Sequence, residues 1–329
     1  MSHTTRAEEL DSKPPNADTI VLTPTWAGDL DHFRLLRASL ARSPLATLEH
    51  HVVVQTEDLP LFRTFAEEPN VVLRSTAEVL PPIVEKRRQR ARHIGAHAGR
   101  HLTRISGSLR RNLGWPRWPS YTGWHTQQLC KLAVASATGR ATTIVLDSDV
   151  VVTPAAQVRD FRTPGAVVCF ARWQPVGTLK GKVRKWVDSA AKLTGRSPLN
   201  EEDEVNTYFD TPFVLDGEAV WAMLAHLEQQ SGLPWWQHLL NQPPRRWSEF
   251  GLYKQYLKSW SQQPVDWRAP ELMQYIFDTS NAEAVVQQVT HLFQRPDIHY
   301  ITLHSQSSGK HNWRASDYTE RLLGWINTL

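Results

Sequence analysis

Short apolar runs alternate with segments of helical periodicity along the first part of the chain. The apolar runs predict strands at 19–22, 50–55 and 71–73. Apolar residues recur every three or four positions over 30–40, which predicts a helix with Asp29 as its cap. A shorter helix is predicted between the second and third strands. A strand–helix–strand order of this kind is typical of βαβ units, so we expect an α/β fold with a mixed, mainly parallel sheet flanked by helices.

The most apolar stretch of the chain is 141–154, ATTIVLDSDVVVTP. Its length and β-branched composition predict one strand that is buried on both faces. Asp147 and Asp149 lie toward its far end, and side chains at i and i+2 leave a strand on the same side. Open α/β sheets bind ligands at the carboxyl ends of their strands. Because buried carboxylates need compensation and hard divalent cations prefer oxygen ligands, we expect a cation here.

The second half of the chain has shorter and less regular patterns. They predict, in order, a strand at 165–171, a helix at 182–193, a strand or loop at 207–215, a helix at 217–228, a helix that starts at Ser248, a strand at 299–303 and a C-terminal helix at 318–326. Asp210 lies in the third of these segments, and His304 directly follows the last strand. We see no internal repeat.

A helix is predicted to precede the central strand, from Gly123 to Gly139. Its apolar residues form one packing face. Gln127 and Gln128 lie four and three positions before Lys131, so they share another face with it. That face is either an ordinary solvated surface or part of a polar site.

Residues 83–118 contain ten lysines and arginines but one acidic residue, Glu85. Apolar residues scattered among them predict a basic amphipathic helix or helix pair. This segment is a solvated helical insertion, or it contacts an anionic membrane surface or an anionic acceptor. No nucleic-acid-binding motif surrounds it, so we expect no nucleic-acid partner.

The composition of the chain limits its domain number and its cellular compartment. The chain has 329 residues, 41% of them hydrophobic, and a net charge of +4, which allows one large or two modest domains with a real core. Cys130 and Cys169 lie in apolar contexts and are interpreted as buried side chains in a reducing compartment. Residues 1–18 are polar and predict a disordered leader rather than a secretory signal, so we expect a cytoplasmic protein.

Three stretches together resemble one class of enzymes. They are GWHTQQLCKL, IVLDSDVVV and WSEFGLY, which begin at Gly123, Ile144 and Trp247. With the strand-end His304 they resemble the GT-A glycosyltransferases, and more closely a bacterial family of uncharacterised GT-A-like proteins. The resemblance implies a Rossmann-like GT-A fold with a basic helical insertion.

The resemblance also divides the chain into functional parts. It implies a nucleotide-sugar-binding half at 19–165, which includes the basic insertion. An acceptor-binding half with the C-terminal helix would follow at 166–329.

In GT-A enzymes the Asp-x-Asp motif and a late histidine hold a metal ion beside the donor diphosphate. Carried over, this implies Asp147, Asp149 and His304 as metal ligands, with Asp147 also near the ribose or the sugar. Carboxylate, imidazole and diphosphate ligands suit Mn²⁺ or Mg²⁺, with imidazole favouring Mn²⁺.

The nucleotide would lie at the ends of the first two strands. Thr23 and Thr25 belong to the turn predicted after the first strand, and Thr56 follows the second, so the resemblance implies nucleotide contacts for all three. Plain turn chemistry is the alternative. Lys131 and Gln128 would approach the diphosphate or donor sugar.

Two carboxylates are candidates for the base that deprotonates an acceptor hydroxyl. Glu249 is the first choice, although its place in a first helical turn stabilises the charged form and weakens it as a base. Asp210 is the second candidate. Trp247 is either a stacking face for a sugar or a core side chain.

The resemblance therefore implies a metal-dependent glycosyltransferase that moves a sugar from a nucleotide-sugar to a glycan or lipid-linked acceptor in surface-polysaccharide synthesis. Segment 83–118 would place it at the inner face of the membrane. Two alternatives stay open: a phosphatase of the haloacid dehalogenase type, with Val151 continuing its motif, and a non-catalytic protein that binds membrane or nucleic acid.

Overall fold

The computed structural model describes residues 18–102, 123–139, 142–243, 245–304 and 316–329. Within this part of the chain the strands are β1 (Thr19–Thr25), β2 (Glu49–Val54), β3 (Val71–Ser75), β4 (Thr142–Val145), β5 (Val150–Val152), β6 (Val167–Phe170), β7 (Trp173–Pro175), β8 (Glu204–Asn206), β9 (Phe213–Asp216), β10 (Val265–Arg268), β11 (Met273–Ile276) and β12 (Tyr300–Leu303).

The helices of the same residues are α1 (Leu30–Leu40), α2 (Leu59–Phe62), α3 (Thr76–Val79), α4 (Pro82–Leu102), α5 (Trp124–Ala137), α6 (Gly181–Leu193), α7 (Gly217–Ser231), α8 (Trp235–Leu240), α9 (Glu249–Ser259), α10 (Ala282–Phe293) and α11 (Ser316–Asn327). The predicted helices at 182–193 and 217–228 are confirmed as α6 and α7.

A five-stranded sheet in the order β3-β2-β1-β4-β9 forms the centre of the fold. The pairs β3–β2, β2–β1 and β1–β4 are parallel, and β9 runs antiparallel to β4 at one edge. Helices flank this sheet, so the predicted α/β class with a mixed, mainly parallel sheet is confirmed. Smaller sheets join β11, β12 and β5, β10 with β6, and β7 with β8.

The apolar run at the centre of the sequence is divided between two sheets. β4 lies in the main sheet, whereas β5 pairs antiparallel with β12, with Val150 opposite Thr302. The prediction of one strand over 141–154 is therefore wrong. The residues between β4 and β5 turn the chain: the Val150 N–H donates to the Asp147 carbonyl at 3.1 Å, and the Ser148 hydroxyl donates to Thr25 Oγ1 at 2.8 Å. Asp147 and Asp149 lie in this turn and not on a strand.

The first strand is longer than the sequence predicts. β1 continues through Thr25, so the predicted turn at 23–25 is wrong. The caps also differ. Asp29 and Ser248 occupy the N-cap positions of α1 and α9, but neither makes a side-chain capping hydrogen bond.

One large hydrophobic cluster joins the two predicted halves of the chain. It includes Leu22, Ile144, Leu215 and Tyr300, which come from both sides of residue 165. Since β4 and β9 also pair across that boundary, the division into 19–165 and 166–329 stays a functional prediction. Trp247 is fully buried in this cluster, so it is a core side chain rather than a stacking face.

The two cysteines behave as the sequence predicts. Cys130 and Cys169 are buried, and burial raises the pKa of each thiol to about 12. Both thiols therefore stay protonated at neutral pH.

Part of the basic segment is neutralised by the fold. α4 begins at Pro82, and the buried Arg88 pairs with Glu85 at 2.7 Å and Glu57 at 2.8 Å. Residues 103–118 of the predicted insertion and 1–17 of the predicted leader lie outside the described residues. Among the described helices, none combines the length and the apolar character that a membrane span requires.

The orientation of β5 depends on one hydroxyl, which gives a first prediction. Ser39 is fully buried on α1, and its Oγ accepts the Val152 N–H at 3.1 Å. Ser39→Ala leaves that buried N–H without a partner, so we expect unfolding free energy to fall by about 1–3 kcal/mol in urea denaturation. The matched control is Ser136→Ala, because the Ser136 hydroxyl donates only to the carbonyl of Ala133 in its own helix. Equal losses in the two variants would contradict this role.

Candidate active site

A buried ammonium joins the helix before the central strand, the turn after it and the start of α9. Lys131 Nζ lies 2.9 Å from Asp147 Oδ1 and 3.1 Å from Glu249 Oε1. The side chains of Lys131 and Glu249 are 6% and 4% exposed, whereas Asp147 is 43% exposed. The three residues form an ion triad with one open end, at Asp147.

The ammonium of this triad keeps its charge in a buried place. Burial opposes the charge of Lys131, but Asp147 and Glu249 outweigh burial and raise the pKa of the amine above its ordinary value. Lys131 Nζ also lies 4.7 Å from the ring centroid of Phe250, which adds a cation–π contact. Lys131 is therefore a fixed positive charge at the carboxyl end of β4.

Glu249 is held in place by its neighbours. Its backbone N–H donates to Gln128 Oε1 at 3.0 Å, and the Ser248 hydroxyl donates to its Oε2 at 3.2 Å. Gln128 is 1% exposed, and its side-chain nitrogen has no hydrogen-bond partner among the described residues. The oxygen of Gln128 thus positions the start of α9.

Two other predicted site residues, His304 and Asp210, lie near the exposed end of the triad. His304 stacks on Phe277 at 4.5 Å, and its Nε2 lies 4.0 Å from Asp210 Oδ1. Burial lowers the pKa of His304, and the charges of Asp210 and Asp147 oppose this effect. His304 is therefore within electrostatic reach of both Asp210 and Asp147. The sequence analysis assigned all three residues to one site.

Asp149 lies on the other side of the turn. It raises the pKa of Tyr318, although burial of that phenol is the larger cause. The Asp149 carbonyl accepts the Leu303 N–H at 2.8 Å, so the backbone of the turn is tied to β12 just before His304.

The donor set fits a cation that is shared with a ligand. Within the described residues, no three His, Cys, Asp or Glu side chains have the spacing of a complete metal site. Mg²⁺ is commonly bound through one or two carboxylates together with substrate phosphates, and imidazole also suits Mn²⁺. The half-exposed Asp147 and the nearby His304 supply oxygen and nitrogen donors of this kind.

The three threonines predicted to bind nucleotide make internal hydrogen bonds. Thr23 and Thr25 are buried, and their hydroxyls bond to His50 Nε2 at 2.9 Å and to Ser148 at 2.8 Å. Thr56 donates to Glu85 Oε1 at 3.0 Å. These hydroxyls are therefore engaged in hydrogen bonds within the protein.

Sequence reasoning missed an exposed aromatic residue at the end of β1. Trp26 is 45% exposed, and its ring lies over Gly28: a Cβ added there would overlap three ring atoms, the farthest of them, Cε2, at 2.9 Å. Trp26 also bonds to the Asp29 side chain, whose pKa is raised to about 6, first by burial and further by the charge of Asp147. Its place directly after the turn predicted at 23–25 was a usable signal.

A buried lysine was missed as well. Lys254 is 3% exposed; its ammonium donates to the Tyr208 carbonyl and lies 3.8 Å from the ring centroid of Phe209. Burial lowers its pKa to about 7, against the charges of Asp210 and Glu249. Lys254 therefore fixes the segment that presents Asp210. Its spacing from Glu249 gave no signal in the sequence.

In sequence, the chain matches a protein family whose function is not known. The sequence model described as "Family of unknown function (DUF6492)" matches residues 19–292. No curated protein matches the chain.

Several solved glycosyltransferases are similar to the chain in structure. A galactosyltransferase, LgtC, in complex with donor and acceptor sugar analogues is 12% identical, with a TM-score of 0.41, and the match covers 94% of this chain and 95% of that one. Mouse xyloside xylosyltransferase 1 is 12% identical, with a TM-score of 0.41 and coverage of 88% and 99%. The bifunctional glycosyltransferase WbbM is 12% identical, with a TM-score of 0.45 and coverage of 95% and 50%.

The raised pKa of Asp29 predicts a pH-dependent stability. The folded-state pKa is about 6 and the ordinary value is 3.8, so the unfolded chain loses this proton first as pH rises. Stability from the protonated form is complete below pH 3.8 and is lost as pH rises through about 6. Asp29→Asn does not ionise, so its unfolding free energy should rise relative to the unmodified chain by roughly 1–3 kcal/mol between pH 4 and pH 7.

Urea denaturation at both pH values, with a chelator present, measures this difference. The control is Asp31→Asn, an exposed carboxylate on the same helix. The same pH trend in both variants would refute the role of Asp29.

Proposed function

The chain belongs to the DUF6492 family of unknown function, and we propose that it is a metal-dependent glycosyltransferase of the GT-A type. It would move a sugar from a nucleotide-sugar to a glycan or lipid-linked acceptor. The observation that carries this proposal is the ion triad of Lys131, Asp147 and Glu249 at the carboxyl end of β4. A fixed cation beside an exposed carboxylate, at the ligand-binding edge of a parallel sheet, suits an activated sugar phosphate.

The proposed reaction breaks the bond between the sugar and a diphosphate, which leaves with negative charge. Lys131 lies where it can stabilise that charge. Asp29, Asp147 and Asp149 surround the turn with carboxylates, so a diphosphate needs a further cation to bind there. Mn²⁺ or Mg²⁺, held by Asp147, His304 and the diphosphate itself, would supply Lewis-acid stabilisation of the leaving group.

Trp26 supports a place for the nucleotide base. Its indole is exposed at the end of β1, its ring rests on the Gly28 backbone, and its side chain is bonded to Asp29. A ring fixed in this way loses little freedom when a base stacks on it. We assign it the base, in place of the hydroxyls of Thr23 and Thr25.

Asp210 is better placed than Glu249 to receive the acceptor proton. Both Glu249 oxygens are engaged, by Lys131 and Ser248, and the side chain is 4% exposed. Asp210 is 34% exposed and lies beside His304. Asp210 would therefore contact the acceptor hydroxyl, while Glu249 orients Lys131.

A ligand screen tests the proposed function. The full chain is heated with UDP-, GDP-, CMP- and dTDP-sugars, with and without Mn²⁺. One nucleotide family should stabilise the protein by about 2.7 kcal/mol at a hundredfold excess over its dissociation constant. Asp147→Asn should abolish the part of the shift that depends on Mn²⁺, whereas Asp297→Asn, an exposed carboxylate paired with Arg295, should keep it. If no nucleotide shifts the melting point in the presence of metal, the transferase proposal is wrong.

Gly28→Ala tests the base site without changing any charge. The added methyl group displaces the Trp26 ring, so nucleotide affinity should fall roughly tenfold, as expected for a lost stacking contact of about 1–3 kcal/mol. Trp26→Ala should cause the same loss. Gly324→Ala is the matched control, because a Cβ there meets no atom within 4 Å. Isothermal titration measures the affinities, and unchanged binding in both Trp26-site variants would remove the base from this position.

A further inference from the structure

Two basic residues that the proposed donor site does not use contact one tryptophan, Lys182 through its ammonium and Arg245 through its backbone carbonyl. Lys182, in the first turn of α6, has its Nζ 4.1 Å from the ring centroid of Trp186. The indole N–H of Trp186 donates to the Arg245 carbonyl at 3.2 Å. Lys182 and Arg245 are exposed, and neither has an ion-pair partner among the described residues. We call these two residues the cation pair.

The backbone of Arg245 is held in a conformation that non-glycine residues seldom adopt. Its φ is 58°, in the left-handed region. Its N–H donates to His125 Nε2 at 3.0 Å, and its carbonyl accepts from Trp186. Hydrogen bonds to two different helices therefore maintain a strained residue, a feature that is concentrated at functional sites.

The surroundings of Lys182 do not neutralise it. The first turn of α6 contains no acidic residue, and a cation at a helix N-terminus is unfavourable. Partial burial and the charge of Arg245 lower the pKa of Lys182, while Asp210 and Glu249 oppose them. The two cations thus repel each other and lie within electrostatic reach of the carboxylates of the candidate site.

A planar surface adjoins the cation pair. Trp186 stacks on Trp124, with ring centroids 5.4 Å apart and planes at 12°. Trp124 is the first residue of α5, the helix that carries Lys131. The two tryptophan faces therefore lie beside Lys182, which is within electrostatic reach of Asp210.

We propose that the cation pair binds a phosphate group carried by the acceptor. A phosphate has the charge and the several acceptor oxygens that an ammonium, a guanidinium and a bare helix N-terminus satisfy together. The acceptor is then a phosphorylated molecule, either a soluble sugar phosphate or a lipid phosphate, with its hydroxyl near Asp210. That the phosphorylated molecule is the acceptor rests on the proposed function. The phosphate site itself does not depend on it.

The test compares Lys182→Gln/Arg245→Gln with the unmodified full chain and with Lys185→Gln, which removes an exposed cation from the same helix. Two probes are titrated at constant ionic strength: glucose 1-phosphate, and dodecyl phosphate in neutral detergent micelles. Both cations make charge-assisted contacts, so the double variant should bind the preferred probe at least about tenfold more weakly. Lys185→Gln should bind like the unmodified chain. If the double variant does not fold, Lys182→Gln alone gives the test.

The outcomes distinguish a soluble sugar phosphate from a lipid phosphate. They also distinguish failure of the phosphate site from failure of the transferase function. Loss of glucose 1-phosphate binding identifies a soluble acceptor, and loss of micelle binding alone identifies a lipid phosphate. Equal binding in all variants overturns the inference. Binding of nucleotide with Mn²⁺ is measured in parallel and should be unchanged in the double variant. If the unmodified chain binds phosphate through the cation pair but binds no nucleotide, the phosphate site stands and the transferase function falls.

Discussion

The candidate site depends on the ammonium of Lys131, which is buried between two carboxylates. A buried charge is costly unless it is paired and hydrogen-bonded, and each partner here comes from a different part of the chain. Lys131 lies on α5, Asp147 in the turn after β4, and Glu249 at the start of α9. Because both carboxylates contact the same ammonium, the three segments are tied to one another. The packing of α5 and α9 thus determines where the Asp147 turn lies.

The sequence predicts the class of the fold better than the path of its central segment. Apolar runs identify β1, β2 and β3, and the helical period identifies α1. Each of these elements packs within one part of the fold along its whole length. The run from Thr142 to Val152 is equally apolar on both sides of Asp147. Its division becomes visible only through long-range partners: β9 pairs with one part, and β12 and Ser39 with the other. No local pattern encodes those partners.

The same distinction applies to the site. Lys131 and Asp147 were predicted to share a site, since both lie next to the central strand, and their ion pair is present. Thr23 was predicted as a ligand contact because it follows an apolar run, but the structure places its hydroxyl against His50. Trp26 and Arg245 were missed because nothing in the hydrophobic pattern marks them. Their significance comes from a ring packed over a nearby glycine and from a strained backbone, and the hydrophobic pattern encodes neither.

The charges around Lys131 are unevenly distributed, and this affects which substrate needs a metal ion in order to bind. Near Trp26, the carboxylates of Asp29 and Asp147 outnumber the single ammonium of Lys131, so an incoming diphosphate is repelled until a divalent cation accompanies it. On the side of Trp186, Lys182 and Arg245 attract an anion without help. Under the proposed function, metal is therefore needed for the donor and not for the acceptor. Asp210 and Glu249 lie between the two sides and moderate the field of the cation pair, as their effect on the pKa of Lys182 shows. If both proposals hold, this arrangement would keep two anionic substrates from competing for the same positive charge.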